Sequence, residues 1–133
     1  MPNEQLICIV DDDESARGGM MDLVQSMGFM VKGFPCAEDF LESRDLRHAS
    51  CLITDMRMPG MSGLQLYDRV RGSGDVIPTI LMTAFPNDRD RTRAQRVGVI
   101  CYLAKPVKDD ELFECVHSAI ESRRTISGRV NDE

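Results

Sequence analysis

A chain of 133 residues with 42% hydrophobic and 29% charged side chains has the composition of one globular domain, long enough to close a core without metal or disulfide staples. A formal net charge of -6 and an isoelectric point near 4.9 argue against direct nucleic-acid binding, because phosphate backbones are held mainly through Lys and Arg. The 5 cysteines, Cys8, Cys36, Cys51, Cys101 and Cys115, are odd in number and include no C-x-x-C pair, so zinc-site and disulfide readings fail on spacing. They read as small buried hydrophobes in a reducing compartment. Met1-Pro2-Asn3-Glu4-Gln5 has no basic region leading into an apolar stretch, and no run approaches a membrane span. A cytoplasmic location with no membrane contact is expected.

Short apolar runs alternate with stretches of helical period, the pattern of βαβ units around a parallel sheet. Leu6-Ile7-Cys8-Ile9-Val10 predicts a first strand, and Asp11-Asp12-Asp13 follows it directly. Ala16, Met20, Leu23, Val24 and Met27 recur at helical steps, with Gly28 as the stop. Phe29-Met30-Val31 with Phe34 predicts a short strand, and Ala37 to Ser43, carrying Phe40 and Leu41, a short helix. Cys51-Leu52-Ile53-Thr54 predicts the next strand and delivers Asp55.

Pro59-Gly60-Met61-Ser62-Gly63 reads as a turn, with Ser62 placed to cap a helix whose apolar positions are Leu64, Leu66, Tyr67 and Val70. Ile77-Pro78-Thr79-Ile80-Leu81-Met82 predicts a fourth strand, Pro78 being tolerable only near its start. From Asp88 to Arg96 the chain is almost all polar, with Arg89, Arg91, Arg93 and Arg96 set against Asp88 and Asp90. A helix there has thin apolar support and low local stability. Val99-Ile100-Cys101-Tyr102-Leu103 predicts a fifth strand leading to Lys105-Pro106. Asp109, Asp110 and Glu111 then place acids at the positive end of a last helix, with Leu112, Phe113, Val116, Ala119 and Ile120 as its expected inner face. Residues 123–133 show no period and are expected to be a polar tail or linker after a domain spanning 1–122.

Parallel strands bring their carboxyl ends together, which is where open α/β sheets bind ligands. Asp11, Asp12 and Asp55 therefore converge. Ionised carboxylates crowded in one cleft repel unless something positive sits among them. A hard, oxygen-preferring cation such as Mg²⁺ and the ammonium of Lys105 are the expected partners.

Four separate parts of the chain now form one pattern: Val10-Asp11-Asp12, Asp55-Met56-Arg57-Met58-Pro59-Gly60 with Ser62-Gly63, Met82-Thr83-Ala84, and Lys105-Pro106. Over roughly Leu6 to Ser122 the sequence resembles the response-regulator receiver domain, the phosphoacceptor half of two-component signalling. The resemblance implies a doubly wound α/β fold with a five-stranded parallel sheet in the flavodoxin-like order 2-1-3-4-5. It implies Asp55 as phosphoacceptor, which its position also favours. Asp12 would ligate Mg²⁺ directly and Asp11 largely through water, with the Arg57 backbone carbonyl as a further oxygen. Lys105 would contact the acceptor and then a phosphoryl oxygen, Thr83 would donate its hydroxyl to another, and the small Ala84 would leave the approach open. Lys105-Pro106 would be cis, and Asp13 would cap the first helix. Thr83 and Tyr102 would form a coupled switch read out on the face made by the fourth helix, fifth strand and last helix.

The partners implied are a sensor histidine kinase, a downstream effector protein or output domain, and a second copy docked through that face when phosphorylated. Ala37-Glu38-Asp39-Phe40-Leu41 and Thr83-Ala84-Phe85 are similar to receivers that head helix-turn-helix transcription regulators, so regulation of transcription through a partner or a further domain is expected. The only chemistry expected is the protein's own phosphorylation and dephosphorylation, which makes it no turnover enzyme. A Mg²⁺-dependent aspartyl phosphatase is the enzyme alternative, but haloacid-dehalogenase-like enzymes need a second acid two residues after the nucleophile, where this chain has Arg57. A flavin carrier would place an anion against Asp11-Asp12-Asp13. A scaffold receiver that is never phosphorylated would have no use for the full set of acids, hydroxyl and lysine.

Overall fold

The computed structural model describes residues 5–132. In chain order it contains β1 (Leu6–Val10), α1 (Glu14–Ser26), β2 (Met30–Phe34), α2 (Ala37–Leu41), a short 3-10 helix (Arg44–Arg47), β3 (Ala49–Asp55), α3 (Gly63–Gly72), β4 (Thr79–Thr83), α4 (Asp88–Val97), β5 (Cys101–Ala104) and α5 (Asp109–Asp132). The strands are parallel throughout and ordered β2-β1-β3-β4-β5. The chain thus leaves β1 first toward β2 and later toward β3, so the sheet reverses direction between β1 and β3. That reversal opens a crevice at the carboxyl edge.

Burial on both sheet faces explains why the central strands are continuous apolar runs. Ile7 and Ile9 of β1, Ile53 of β3 and Ile80 of β4 pack with Val24 of α1 and Leu112, Val116 and Ala119 of α5. Cys8, Val10 and Leu52 face the other way, onto Phe40 of α2 and Leu66 and Val70 of α3. Tyr67, Leu81 and Ala94 form a smaller cluster under α4. Cys8, Cys51 and Cys115 are buried and all five cysteines are unpaired. Burial pushes the Cys8 and Cys115 thiols up to about 12 and Cys51 further still, so these three act as hydrophobes.

Caps mark the helix starts. Asp13 accepts from the Ala16 N–H at 3.0 Å, Asn87 from Asp90 at 2.8 Å, and Ser62 forms a reciprocal capping box with Gln65. Only Ala94 of α4 is buried. Its C-terminus is held from α3 instead: the Val97 carbonyl accepts from the Tyr67 hydroxyl at 3.0 Å and from Arg71 Nη1 at 2.7 Å. Gly98 closes this end at φ 104°, a left-handed conformation suited to glycine. Among the described residues no helix is long and apolar enough to cross a membrane.

Several element bounds differ from those read in the sequence. β4 starts at Thr79 because Pro78 has no N–H to give, although its carbonyl still accepts from Leu52 at 2.9 Å. β5 starts at Cys101 because the Val99 N–H is taken by the Ala94 carbonyl at the end of α4. The 3-10 helix after α2, capped by the Ser43 hydroxyl, was not expected. Phe113, placed on the inner face of α5 by the sequence reading, is 48% exposed and lies against His117 at 4.3 Å between ring centroids. Cys115 takes an inward position instead, since Leu112, Cys115, Val116, Ala119 and Ile120 form the stripe of three- and four-residue steps. Finally, α5 continues to Asp132, through the segment expected as a tail. Once the first turns are packed, each further turn adds hydrogen bonds without a new nucleation cost.

Candidate functional site

β1 and β3 end side by side, with Val10 opposite Thr54, and so deliver Asp11 and Asp55 to the same point of the crevice. Asp11 is 1% and Asp55 9% exposed, whereas Asp12 points to solvent. One oxygen from each of these three carboxylates lies within 4.8 Å of the others. From β5 comes the opposing charge: Lys105 Nζ is 3.1 Å from Asp11 Oδ2 and 3.4 Å from Asp55 Oδ2. The Lys105–Pro106 peptide is cis.

Asp11 is the more tightly held acid. Its Oδ2 accepts from Lys105, its Oδ1 accepts from the Asp13 N–H at 3.0 Å, and its carbonyl accepts from Arg17 Nη1 at 2.8 Å. Asp55 is less well compensated. Burial is the main force raising its carboxyl pKa above the ordinary value, Lys105 pulls it down, and the Asp11 anion pushes it up again. Burial also works against the Lys105 ammonium, but the hydrogen bond to Asp11, the Asp11 charge and then Asp55 outweigh it and leave that pKa raised. The two shifts agree once one ammonium is seen to serve two buried acids and to favour Asp11.

A site of three carboxylate oxygens with a single ammonium is short of positive charge, and its all-oxygen donors match a hard divalent cation such as Mg²⁺ rather than a soft thiophilic one. Asp11, Asp12 and Asp55 are the side chains able to hold it. Arg57 lies in the loop directly after Asp55, with its side chain exposed.

Thr83, buried at the end of β4, accepts the Phe85 N–H on its hydroxyl oxygen at 3.0 Å. That leaves the hydroxyl proton to donate elsewhere. Ala84 follows, exposed and small. Tyr102 sits on β5, half-buried, where its hydroxyl accepts from the Asn87 N–H at 3.3 Å and Arg91 lies over its ring at 5.1 Å. The aromatic therefore spans from β5 to the N-cap of α4.

The sequence reading named Asp11, Asp12, Asp55, Arg57, Thr83, Tyr102 and Lys105, and the fold brings the acids and Lys105 into contact. It missed Arg17, which holds the Asp11 backbone. A basic residue one turn into a helix after an acidic run is the available signal, and it is weak. It also missed why Gly63 is a glycine: a Cβ there would meet the Asp55 carbonyl oxygen at 2.5 Å.

A doubly wound sheet in this order, with two acids just past β1, one at the end of β3, a hydroxyl at the end of β4 and a lysine just past β5, defines a class of flavodoxin-like α/β domains with an acidic site at the carboxyl edge. The response regulator receiver domain family matches residues 7–117, and the chain belongs to that family. The transcriptional regulatory protein FixJ of Bradyrhizobium diazoefficiens is 32% identical over 114 residues, 86% of this chain and 56% of that protein. The response regulator protein TodT of Pseudomonas putida is 30% identical over 130 residues, 96% of this chain and 57% of that protein. The chain thus spans about half the length of these relatives. Among solved structures, the response regulator StyR superposes with a TM-score of 0.85 at 35% identity, covering 97% of this chain and 66% of StyR. The structure titled FixJ-N does so at 0.81 and 32%, covering 90% of this chain and 95% of FixJ-N.

Proposed function

We propose that this receiver is a phosphoacceptor switch in which Asp55 takes a phosphoryl group from a sensor histidine kinase or a small phosphodonor. The observation that carries the reading is the Lys105 ammonium bridging the two buried acids Asp11 and Asp55, at the carboxyl edge where β4 also ends in Thr83. An Asp55 oxygen bonds to phosphorus as the bond from phosphorus to the donor nitrogen or oxygen breaks. Little covalent work is left to the protein beyond in-line positioning and offsetting the charge on the transferring oxygens. Lys105 and the Thr83 hydroxyl each offer a donor to those oxygens. When bound among Asp11, Asp12 and Asp55, Mg²⁺ supplies the remaining positive charge. Because both Asp11 oxygens are already engaged by protein donors, this acid suits a water-mediated role and the exposed Asp12 a direct one. The protein's own phosphorylation and dephosphorylation are the whole of its chemistry.

The output runs through Thr83 and Tyr102. A Thr83 hydroxyl drawn toward the phosphoryl group pulls on Phe85 and the β4–α4 loop, whose Asn87 is the partner of Tyr102. Because α4 is anchored at its Val97 end, its N-terminal end is the one able to move. The α4–β5–α5 face then docks a second copy, an effector or an output domain, and the name of FixJ, a transcriptional regulatory protein, points to transcription as the process controlled. A groove of about 560 Å³ between α1 and the β5–α5 loop, lined by Met20, Leu23 and Val107 and reaching Asp11 and Lys105, gives the kinase an apolar approach.

Incubation with acetyl phosphate and Mg²⁺ should add one phosphoryl group, read by intact mass. Light scattering with beryllofluoride should show a modest, salt-sensitive gain in mass, since exposed ion pairs are individually weak. No phosphoryl uptake would leave a scaffold receiver as the better reading. Calorimetry on Asp12→Ala should show Mg²⁺ affinity lowered by about tenfold or more, equivalent to ~1.4 kcal/mol; unchanged affinity would remove Asp12 from the site.

A further inference from the structure

The two ends of α4 are held in different ways. At the C-terminal end the Gly98 N–H donates to the Ala94 and Gln95 carbonyls at 3.2 Å each, the Val99 N–H to Ala94 at 2.9 Å, and the Ile100 N–H to Thr79 of β4 at 2.9 Å. The Val97 carbonyl, an acceptor that the helix itself cannot satisfy, is taken by α3: the Tyr67 hydroxyl donates to it at 3.0 Å and Arg71 Nη1 at 2.7 Å. Tyr67 is 6% exposed, and the Arg71 guanidinium carbon lies 5.8 Å from the centroid of its ring, within cation–π range. The buried ring thus steers the second donor. Gly98 gives both donors room, since a Cβ there would lie 3.0 Å from the Tyr67 hydroxyl oxygen and 3.8 Å from Arg71 Nη1. At the other end, among the described residues, the hydrogen bonds and ring contacts from Asn87 to Arg91 that reach another strand or helix run to Tyr102.

We propose that Tyr67 and Arg71 are positioning residues that make the Val97 end of α4 a fulcrum, about which the helix tilts when Asp55 is phosphorylated. The proposal rests on the phosphoacceptor reading and gives a part in its output to two side chains outside both the acceptor site and the Thr83–Tyr102 pair. A pull on one end of a helix becomes a tilt only if the other end stays fixed. α4 is ten residues long and buries only Ala94, so core packing along its length does little to fix it. Without the two α3 donors, the same pull is absorbed as fraying of the last turn. Either donor alone still satisfies the Val97 carbonyl. The fulcrum is therefore lost only when both are removed.

The test is residue-resolved amide hydrogen exchange, with and without beryllofluoride and Mg²⁺, on the wild type, Tyr67→Phe, Arg71→Ala and the double variant. In the wild type, beryllofluoride should change exchange at Asp90 and Arg91 and leave Gly98 and Val99 as they were. Each single variant should keep that pattern. In the double variant Gly98 and Val99 should exchange about tenfold faster or more, as expected for the loss of two hydrogen bonds, and the beryllofluoride response should spread to them. All four proteins should load from acetyl phosphate at the same rate, which separates a defect in output from one in the acceptor. Redundant donors give a double variant far worse than the product of the singles, whereas independent structural damage multiplies. Three results overturn the fulcrum while leaving the acceptor intact: a wild-type response at Gly98 and Val99 as large as at Asp90 and Arg91, a double variant with the wild-type pattern, or single effects that merely multiply. Failure of the wild type to load overturns the acceptor reading, and the fulcrum with it.

Discussion

Asp55→Asn is expected to gain no phosphoryl mass under conditions that label the wild type fully, because the amide keeps the shape of the carboxylate and lacks its nucleophilic oxygen. Lys105→Ala keeps the nucleophile but removes the ammonium that lies 3.1 Å from Asp11 and 3.4 Å from Asp55. Its labelling rate should fall by on the order of 10²-fold, as when one preorganised donor is lost from a site of developing charge. Metal-free melting gives a second readout for Asp55→Asn. The Asp55 pKa is raised in the folded state above the ordinary 3.8, so the folded protein binds the proton more tightly than the unfolded chain does. Below 3.8 the carboxyl is neutral in both states and costs nothing; as pH rises through the folded-state pKa, the buried charge destabilises the protein. The Asn variant has no such charge, so its advantage in midpoint over the wild type should grow with pH across that window. Labelling of Asp55→Asn at the native rate would exclude this acceptor, and a midpoint difference that does not change with pH would exclude an uncompensated Asp55.

The site is legible in the sequence to the extent that it is built from strand ends. An apolar run followed by acids, as at Leu6–Val10 and Ala49–Asp55, is a local signal. Parallel pairing converts such ends into neighbours without further information. Boundaries set by single hydrogen bonds are less legible: Thr79 rather than Ile77 opens β4, and Cys101 rather than Val99 opens β5. Phe113 was misplaced because one residue on a helix is about 100° of rotation, and composition cannot tell the inner Leu112 from its outward neighbour. Contacts between side chains distant in sequence are out of reach altogether. Tyr67 and Arg71 converging on the Val97 carbonyl, or Arg57 lying over Phe85, follow only from the packed arrangement of α3, α4 and their loops.

Gly63 shows the same division, and it supplies the sharpest stability test. From sequence it is one of two glycines punctuating a turn; in the fold it is the first residue of α3, buried, with its N–H donating to the Met56 carbonyl at 2.9 Å. A Cβ there would lie 2.5 Å from the Asp55 carbonyl oxygen, 2.8 Å from Leu81 Cδ2 and 3.2 Å from Met56 Cα. Leu81 can rotate, but the other two are backbone at the end of β3, and they give way only if the acceptor's own peptide moves. Gly63→Ala should therefore destabilise by about 1–3 kcal/mol, the cost of overpacking, which lowers the midpoint by several degrees in a domain of this size. Any phosphorylation that remains should be slowed. Gly72, at the other end of the same helix, is the matched control. A Cβ there meets nothing within 4 Å, so Gly72→Ala should be neutral or stabilise by up to about 1 kcal/mol through helix propensity and a less flexible unfolded chain. Equal midpoints for the two alanine variants would mean that the close approach of α3 to the Asp55 peptide does not constrain the acceptor.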